Sequence, residues 1–211
     1  MGLEAAGFHV AFALDHDRHA CTSYRHHFGS IVHEATLDAF PPERICENTG
    51  ISLGDYALVC GGPPCQGFSL QRRGKRDDSR NFLVHQFAST AVALRPLMIL
   101  MENVPALLGS RGSSYLADVR DVLQRGGYDH RAAVLDAADF GVPQHRERAF
   151  LVAWRIDTIR GFRFPPPTHN SGNYRTVATA LSDLPEPPTD FSEYPEFFNH
   201  VRVRMSAANL R

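Results

Sequence analysis

The sequence predicts an α/β fold with a mostly parallel sheet, because short apolar runs alternate with stretches of helical periodicity. The apolar runs predicted as strands are 9–14, 56–60, 97–101, 132–135 and 150–154. The stretches predicted as helices are 17–28, 82–94 and 115–125. Strands connected through helices form βαβ units, in which neighbouring strands run parallel.

Length and composition are those of an ordinary globular protein. The chain has 211 residues, 43% of them hydrophobic and 21% charged, enough for one α/β domain with a buried core. It contains no apolar run of the roughly 18 residues that a membrane span requires, and no secretory signal. We therefore expect a cytoplasmic protein with four free cysteines; none lies in a CxxC pair, so no metal site is expected.

The character of the sequence changes after Phe164. Three prolines occupy 165–167, the segment 184–189 is proline-rich, and only 177–181 has a helical pattern. We predict a catalytic α/β domain over residues 1–164 and a proline-rich connector over residues 165–211.

Charge alone neither predicts nor excludes nucleic-acid binding. The net charge of −1 is mildly unfavourable, since a basic domain is the usual sign of such binding. Four basic residues nevertheless lie within five positions: Arg72, Arg73, Lys75 and Arg76. A local patch of this kind can contact phosphates although the summed charge is near zero.

Cys65 is the strongest candidate for a reactive residue. It follows Gly61-Gly62-Pro63-Pro64, where the glycines permit close backbone approach and the prolines stiffen the loop. A cysteine held over a cleft is an intrinsically strong nucleophile. The alternative, a buried small hydrophobe, suits Cys60 better, because Cys60 lies inside a predicted strand.

Three predicted strands end at charged or reactive side chains: Asp15, the Cys65 segment and Glu102. Ligands bind beyond the carboxyl ends of strands in open parallel sheets, so these ends indicate one shared cleft. Glu102 would be partly removed from water, which favours a proton-donating role over a simple turn cap. Arg146 and Arg148 stand two positions apart and would point to the same face of an extended segment, unless they form a solvated turn.

Together these residues resemble the cytosine-5 DNA methyltransferase family. Five motifs carry the resemblance in the family's order: DYALVCGGPPCQGFS at 55–69, DSRNFL at 78–83, ENV at 102–104, DFGVP at 139–143 and QHRER at 144–148. The PPCQGFS core is the most specific of them. The resemblance implies a Rossmann-like sheet that binds S-adenosylmethionine, and double-stranded DNA as the substrate.

The resemblance also implies roles for four catalytic residues. Cys65 would attack carbon 6 of a cytosine flipped out of the duplex, and Glu102 would hold a proton on ring nitrogen 3. Arg146 and Arg148 would support Glu102, bind the base carbonyl and hold a nearby phosphate. Carbon 5 would take the methyl group, and loss of its proton would expel Cys65.

The same resemblance implies a set of cofactor-binding residues. Asp15 matches the acidic residue that binds the ribose hydroxyls of the cofactor in the family. His16 matches the residue that stacks on the adenine. Leu83 matches a leucine that packs against the adenine, although helix core is its simpler interpretation. Pro63, in the nucleophile loop, belongs to this set too.

A DNA-contacting loop is implied over residues 66–80. Its four basic residues suit phosphates, and Gln66 or Ser69 would fill the gap left by the flipped base.

Two family features have no counterpart in the sequence: the Phe-x-Gly-x-Gly-Gly motif of the first strand and the target recognition domain. We therefore expect the sheet to lack its first central strand, between 9–14 and 56–60. The acid that reads the adenine amino group is replaced by Ala35, unless Glu34 compensates. On this interpretation the chain is truncated at both ends, as a gene fragment, a wrongly assigned start or half of a split enzyme with a complementary chain.

Three functions remain open on the sequence alone. The first is DNA cytosine methylation in a bacterial or phage setting. The second is tRNA cytosine-5 methylation, which Gly67-Phe68-Ser69 disfavours. The third is an inactive module that binds DNA or a partner, which the missing glycine motif favours and the intact Cys65, Glu102 and Arg146 disfavour.

Overall fold

A computed structural model describes residues 1–64, 82–110, 112–192, 196 and 201–202 of the protein. The strands in this part of the chain are β1 (Ala13–Asp15), β2 (Val32–Glu34), β3 (Leu58–Gly61), β4 (Met98–Asn103), β5 (Tyr128–Asp136) and β6 (Glu147–Arg155). The helices are α1 (Gly2–Ala5), α2 (Arg18–Phe28), α3 (Pro42–Thr49), α4 (Phe82–Leu94), α5 (Ser113–Arg125) and α6 (Val177–Ala180). None of these helices is long and apolar enough to cross a membrane.

The chain divides into two compact units. The first comprises residues 1–136 and 146–166 and contains every strand named above. The second comprises residues 137–145 and 167–211 and contains α6.

The strands of the first unit form two sheets. β1 and β2 pair in parallel, and a four-stranded sheet has the order β3-β4-β6-β5. β3 is parallel to β4, whereas β6 is antiparallel to both β4 and β5. Consequently β3, β4 and β5 run in one direction and only β6 is reversed. The predicted α/β class with mostly parallel strands is confirmed.

Strand pairing is interrupted between β1 and β3. In the described part of the chain no hydrogen-bonded strand joins the two sheets. A hydrophobic cluster nevertheless combines side chains from both sides, because Phe12, Leu14 and Val59 all pack against a buried core that includes Tyr56. The interruption falls between the two segments that the sequence predicts to flank a missing strand.

The larger core lies between the four-stranded sheet and two helices. α4 contributes Val84, Ala88 and Ala91, and α5 contributes apolar side chains at the spacing of a helical stripe. The sheet contributes alternate residues of β4 and β6, since successive strand residues point to opposite faces. This core fixes the carboxyl end of β4, where Glu102 lies.

Several details differ from the sequence prediction. β4 extends through Asn103, so Glu102 lies inside the strand rather than beyond it. β1 covers only Ala13–Asp15, because its partner β2 supplies just three residues for pairing. Cys60 is exposed rather than buried, although it lies within β3; the protein around it still displaces water and raises the pKa of its thiol.

Candidate active site

The central pair of the candidate site is Glu102 with Arg148. The Nε atom of Arg148 lies 2.8 Å from Oε1 of Glu102. Sheet register explains the contact: Glu102 is opposite Phe150, and Arg148 is two residues from Phe150, so it emerges on the same face. Both side chains are only partly covered, with 25% of Arg148 and 40% of Glu102 exposed. The carboxylate is therefore oriented by a cation while remaining accessible.

Arg146 is held differently from Arg148. Its backbone amide donates to Oδ1 of Asp136 at 2.8 Å, which ties the residue before β6 to the last residue of β5. Its side chain is exposed. The structure thus brings Arg148, and not Arg146, into an ion pair with Glu102.

The loop that leads to the nucleophile motif lies against Glu102. A side-chain carbon on Gly62 would stand 3.4 Å from Oε2 of Glu102. A carbon on Gly61 would stand 2.5 Å from the ring of Phe87 in α4, so only glycine fits at this strand end. Gly61 therefore permits a close approach to the core, whereas Gly62 lies at ordinary contact distance from the Glu102 carboxylate.

Asn103 links this loop to β4, a role that the sequence analysis did not assign. It is a buried polar residue with 5% exposure, and its Nδ2 donates to the Pro63 carbonyl at 2.9 Å. Its Oδ1 accepts from the Val104 amide. The signal in the sequence was the ENV motif itself, in which an amide side chain directly follows Glu102. Pro63, predicted to contact the cofactor, is half-buried and anchored through this bond.

Several predicted site residues lie outside the described residues. They are the nucleophile Cys65 and the DNA-contacting residues Gln66, Ser69, Arg72, Arg73, Lys75 and Arg76. The described chain stops at Pro64, one residue after the carbonyl that Asn103 holds.

The predicted adenosine-binding residues lie on the two-stranded sheet. Asp15 ends β1 and Glu34 ends β2, and the two are aligned in the parallel register. Both are exposed at their strand ends. The residue aligned with Asp15 is therefore the acidic Glu34 and not Ala35. Two adjoining carboxylates suit the hydroxyl and amino donors of an adenosine group.

His16 and Leu83 occupy contrasting environments. The imidazole Nδ1 of His16 lies 3.5 Å from Oδ1 of Asp15, and 75% of the side chain is exposed. The Asp17 amide donates to the same oxygen at 2.8 Å. Leu83 is half-buried in the first turn of α4, whereas the core contact of that turn is made by Val84.

Comparisons with known sequences agree with the motif pattern. A family model described as C-5 cytosine-specific DNA methylase matches residues 1–205. The type II methyltransferase M.AgeI of Thalassovita gelatinovora is 34% identical over 210 residues, which cover 99% of this chain and 47% of that relative. M.AquIA of a Picosynechococcus species is 35% identical over 211 residues, covering 88% of this chain and 84% of that relative. The chain thus spans about half the length of M.AgeI and most of M.AquIA.

Comparisons with solved structures agree with the fold. A DNA modification methyltransferase encoded within an E. coli prophage superposes with a TM-score of 0.73 at 29% identity. The match covers 88% of this chain and 51% of that one. The S. pombe Dnmt2 methyltransferase superposes with a TM-score of 0.60 at 22% identity over 82% of this chain and 54% of that one, a likeness of fold alone. The Rossmann-like methyltransferase fold predicted from the sequence is confirmed.

Proposed function

Since the chain belongs to the C-5 cytosine-specific DNA methylase family, we propose that it methylates carbon 5 of a flipped cytosine in double-stranded DNA. The observation that carries the proposal is the Glu102–Arg148 pair, which lies against the loop leading to Cys65. The type II methyltransferases among its relatives favour a role in a restriction–modification system. Flipping gives the enzyme access to ring atoms that stacking hides, at a cost of about a few kcal/mol.

The nucleophile in this proposal is Cys65. Its thiolate forms a bond to carbon 6 of the cytosine, and the electron pair of the 5,6 double bond moves toward carbon 5. Support for this role comes from the motif and from the anchored segment before it, because Asn103 holds the Pro63 carbonyl.

The acid in this proposal is Glu102. A carboxyl group at ring nitrogen 3 donates a hydrogen bond or proton there, so that negative charge does not build up on the ring during attack. Arg148 orients the group from Oε1, which leaves Oε2 on the side of Gly62 for the base. Arg146, whose side chain is exposed, is assigned to the base carbonyl or to a phosphate.

The cofactor in this proposal is S-adenosylmethionine, which supplies the methyl group that carbon 5 accepts. Asp15 and Glu34 would hold the adenosine hydroxyl and amino groups, and the exposed His16 ring would stack on the adenine. Among the described residues, the Asp17 amide donates to Oδ1 of Asp15, and the His16 ring lies beside the same oxygen. Oδ2 of Asp15 would therefore bind the ribose. Pro63 and Leu83 complete the set.

Methyl transfer from labelled S-adenosylmethionine tests the proposal. Duplex DNA should accept methyl groups from the protein, tRNA should not, and Cys65→Ser should abolish transfer. Cys60→Ser is the matched control, because this exposed thiol lies five residues away in β3. Transfer to tRNA alone would favour the tRNA methyltransferase, and DNA binding without transfer would favour the inactive module.

The proposal also includes a second, complementary chain as a partner of this one. Among the described residues, β1 and β3 each have one edge without a strand partner, where an added strand would pair, and both sides already share a hydrophobic cluster. If the protein binds DNA but transfers no methyl group, the assay is repeated with a polypeptide that carries the Phe-x-Gly-x-Gly-Gly segment. Restored transfer would identify a split enzyme.

A further inference from the structure

The turn between β1 and α2 carries a carboxylate that burial alone does not fix. Asp15 is the last residue of β1, and 48% of its side chain is exposed. A half-exposed carboxylate can adopt several rotamers, and each rotamer aims the two oxygens differently. The proposed role of Asp15, which is to accept hydrogen bonds from ribose hydroxyls, therefore requires a neighbouring group that selects one rotamer.

Asp17 makes contacts in two directions. Its backbone amide donates to Oδ1 of Asp15 at 2.8 Å. Its side chain is the N-cap of α2, where Oδ1 of Asp17 accepts the Ala20 amide at 2.9 Å. A backbone amide keeps one direction only where its own backbone is fixed, and the cap fixes it here. Asp17 thus binds the helix through its side chain and Asp15 through its backbone.

The cap at Asp17 is a charged one. Hydrogen bonds from the backbone amides of Ala20 and His19 hold the pKa of Asp17 below its ordinary value. A carboxylate also suits the positive end of the helix dipole. The first turn of α2, all of whose residues the structure describes, contains no acidic residue of its own. Asp17 is therefore the carboxylate that fixes the start of this helix.

Cys21 and Ala35 hold the backbone of Asp15. Cys21 is fully buried, and its Sγ lies 3.4 Å from the Asp15 carbonyl oxygen and 3.8 Å from that of His33. The Ala35 amide donates to the same Asp15 carbonyl at 3.0 Å. With the backbone of Asp15 held from this side, its side-chain rotamer is the remaining freedom, and the contact of that side chain with the Asp17 amide restricts it.

We infer that Asp17 is a positioning residue for Asp15. The Asp17 amide occupies Oδ1 of Asp15 and so presents Oδ2 to the cofactor. The inference rests on the proposed function, in which Asp15 binds the ribose of S-adenosylmethionine. Glu102 and Arg148 belong to the other sheet. Loss of the Asp17 side chain should therefore weaken cofactor binding and leave the chemical step intact.

The central test is Asp17→Ala, which removes the cap and keeps the backbone amide. We expect the Kd of S-adenosylmethionine, measured by calorimetry, to rise about fivefold, the fold-change that corresponds to one lost helix cap. The value of kcat at saturating cofactor and the KM for duplex DNA should stay near those of the wild type. Asp17→Asn should restore the Kd, because asparagine offers an oxygen at the same position and caps a helix equally well.

The matched control is Ser23→Gly in the same helix. Ser23 is exposed in α2, and glycine there weakens the helix about as much as a lost cap while leaving Asp17 in place. Ser23→Gly should lower the thermal midpoint as Asp17→Ala does, with an unchanged Kd. Equal increases of Kd in the two variants would overturn the inference, because helix stability alone would then explain the effect.

A double-mutant cycle shows whether the effect passes through Asp15. In an Asp15→Ala background, Asp17→Ala should cause no further increase in the Kd of S-adenosylmethionine. A further fivefold increase in that background would overturn the inference, since Asp17 would then act on the cofactor by another route.

Hydrogen exchange separates this inference from the proposed function. The amide of residue 17, corrected for its intrinsic rate, should exchange faster in Asp17→Ala than in the wild type, Asp17→Asn or Ser23→Gly. Unchanged exchange in Asp17→Ala would overturn the inference whatever the Kd. Faster exchange in that variant, in a protein whose wild type binds no S-adenosylmethionine, would support the positioning of Asp15 and contradict the proposed cofactor instead.

Discussion

At the scale of single residues, the role proposed for Glu102 depends on how its carboxylate is oriented. A carboxylate in a strand can turn toward solvent, toward the core or along the sheet edge. Arg148 selects one orientation, because an arginine Nε 2.8 Å from Oε1 makes a directional, charge-assisted contact. The other oxygen then lies near Gly62, on the side of the nucleophile loop.

Replacing Arg148 should therefore reduce catalysis more than folding. We expect Arg148→Ala to lower the methylation rate about tenfold or more, since a partly exposed ion pair orients Glu102. Arg148→Lys should recover only part of the loss, because lysine cannot reproduce the planar guanidinium. Arg125→Ala removes an exposed ion pair with Asp121 and should leave the rate unchanged. The measurement is single-turnover methyl transfer; equal rates for Arg148→Ala and Arg125→Ala would contradict this role.

Asn103 should affect both stability and rate. Asn103→Ala leaves the Pro63 carbonyl and the Val104 amide without their side-chain partner, at a cost of about 1–3 kcal/mol in the free energy of unfolding. It also releases the loop before Cys65, so the rate of adduct formation should fall. Urea denaturation and single-turnover kinetics on the same samples test both effects. Full stability with full activity in Asn103→Ala would show that the bond does not position the loop.

The residues of the site could be found from sequence, but not their contacts. Glu102, Arg146 and Arg148 stand out through motif spacing. Spacing places both arginines on one face, and only strand register distinguishes the one that pairs with Glu102. Asn103 was missed because its function lies in a hydrogen bond to a loop 40 residues away in the chain.

At the scale of elements, Tyr128 shows how a strand is anchored at its start. It begins β5 with 2% exposure, and its hydroxyl donates to the Pro96 carbonyl at 2.6 Å. Removal from water raises the pKa of Tyr128 from 10.0 to about 12, and the nearby Arg155 and Arg95 oppose part of this rise.

This raised pKa predicts an alkaline loss of stability. The folded state favours the neutral phenol, so the contribution is complete below pH 10 and is lost as pH rises toward about 12. Tyr128→Phe should cost about 0.5–1.5 kcal/mol at neutral pH and should remove this part of the alkaline decline. Urea denaturation at a series of pH values measures both. Parallel pH profiles for the two proteins would contradict the prediction.

Elements differ in how well the sequence predicts them. α4 has the predicted bounds, because an uninterrupted helical period spans it. β2 was missed, since three residues cannot establish an alternating pattern. α3 was missed because it begins at the second of two consecutive prolines and buries only Ile45, which makes its apolar stripe weak.

At the scale of the whole molecule, the described residues combine the candidate active site on one sheet with an interruption in strand pairing between two sheets. The four-stranded sheet, α4 and α5 share a core that supports Glu102 and Asn103. The two-stranded sheet carries Asp15 and Glu34, and only side-chain packing connects it to β3 in the described residues. The sequence could predict this interruption from the missing glycine motif, but the shared hydrophobic cluster depends on tertiary packing that no local pattern encodes.

Covalent trapping tests the proposed methyl transfer most directly. The protein is mixed with S-adenosylmethionine and duplex DNA that carries 5-fluorocytosine, whose fluorine cannot leave as a proton does. We expect a denaturation-resistant protein–DNA adduct that Cys60→Ser retains and Cys65→Ser loses. An adduct that survives Cys65→Ser, or none from a folded protein that binds both DNA and the cofactor, would contradict the proposed cytosine methyltransferase.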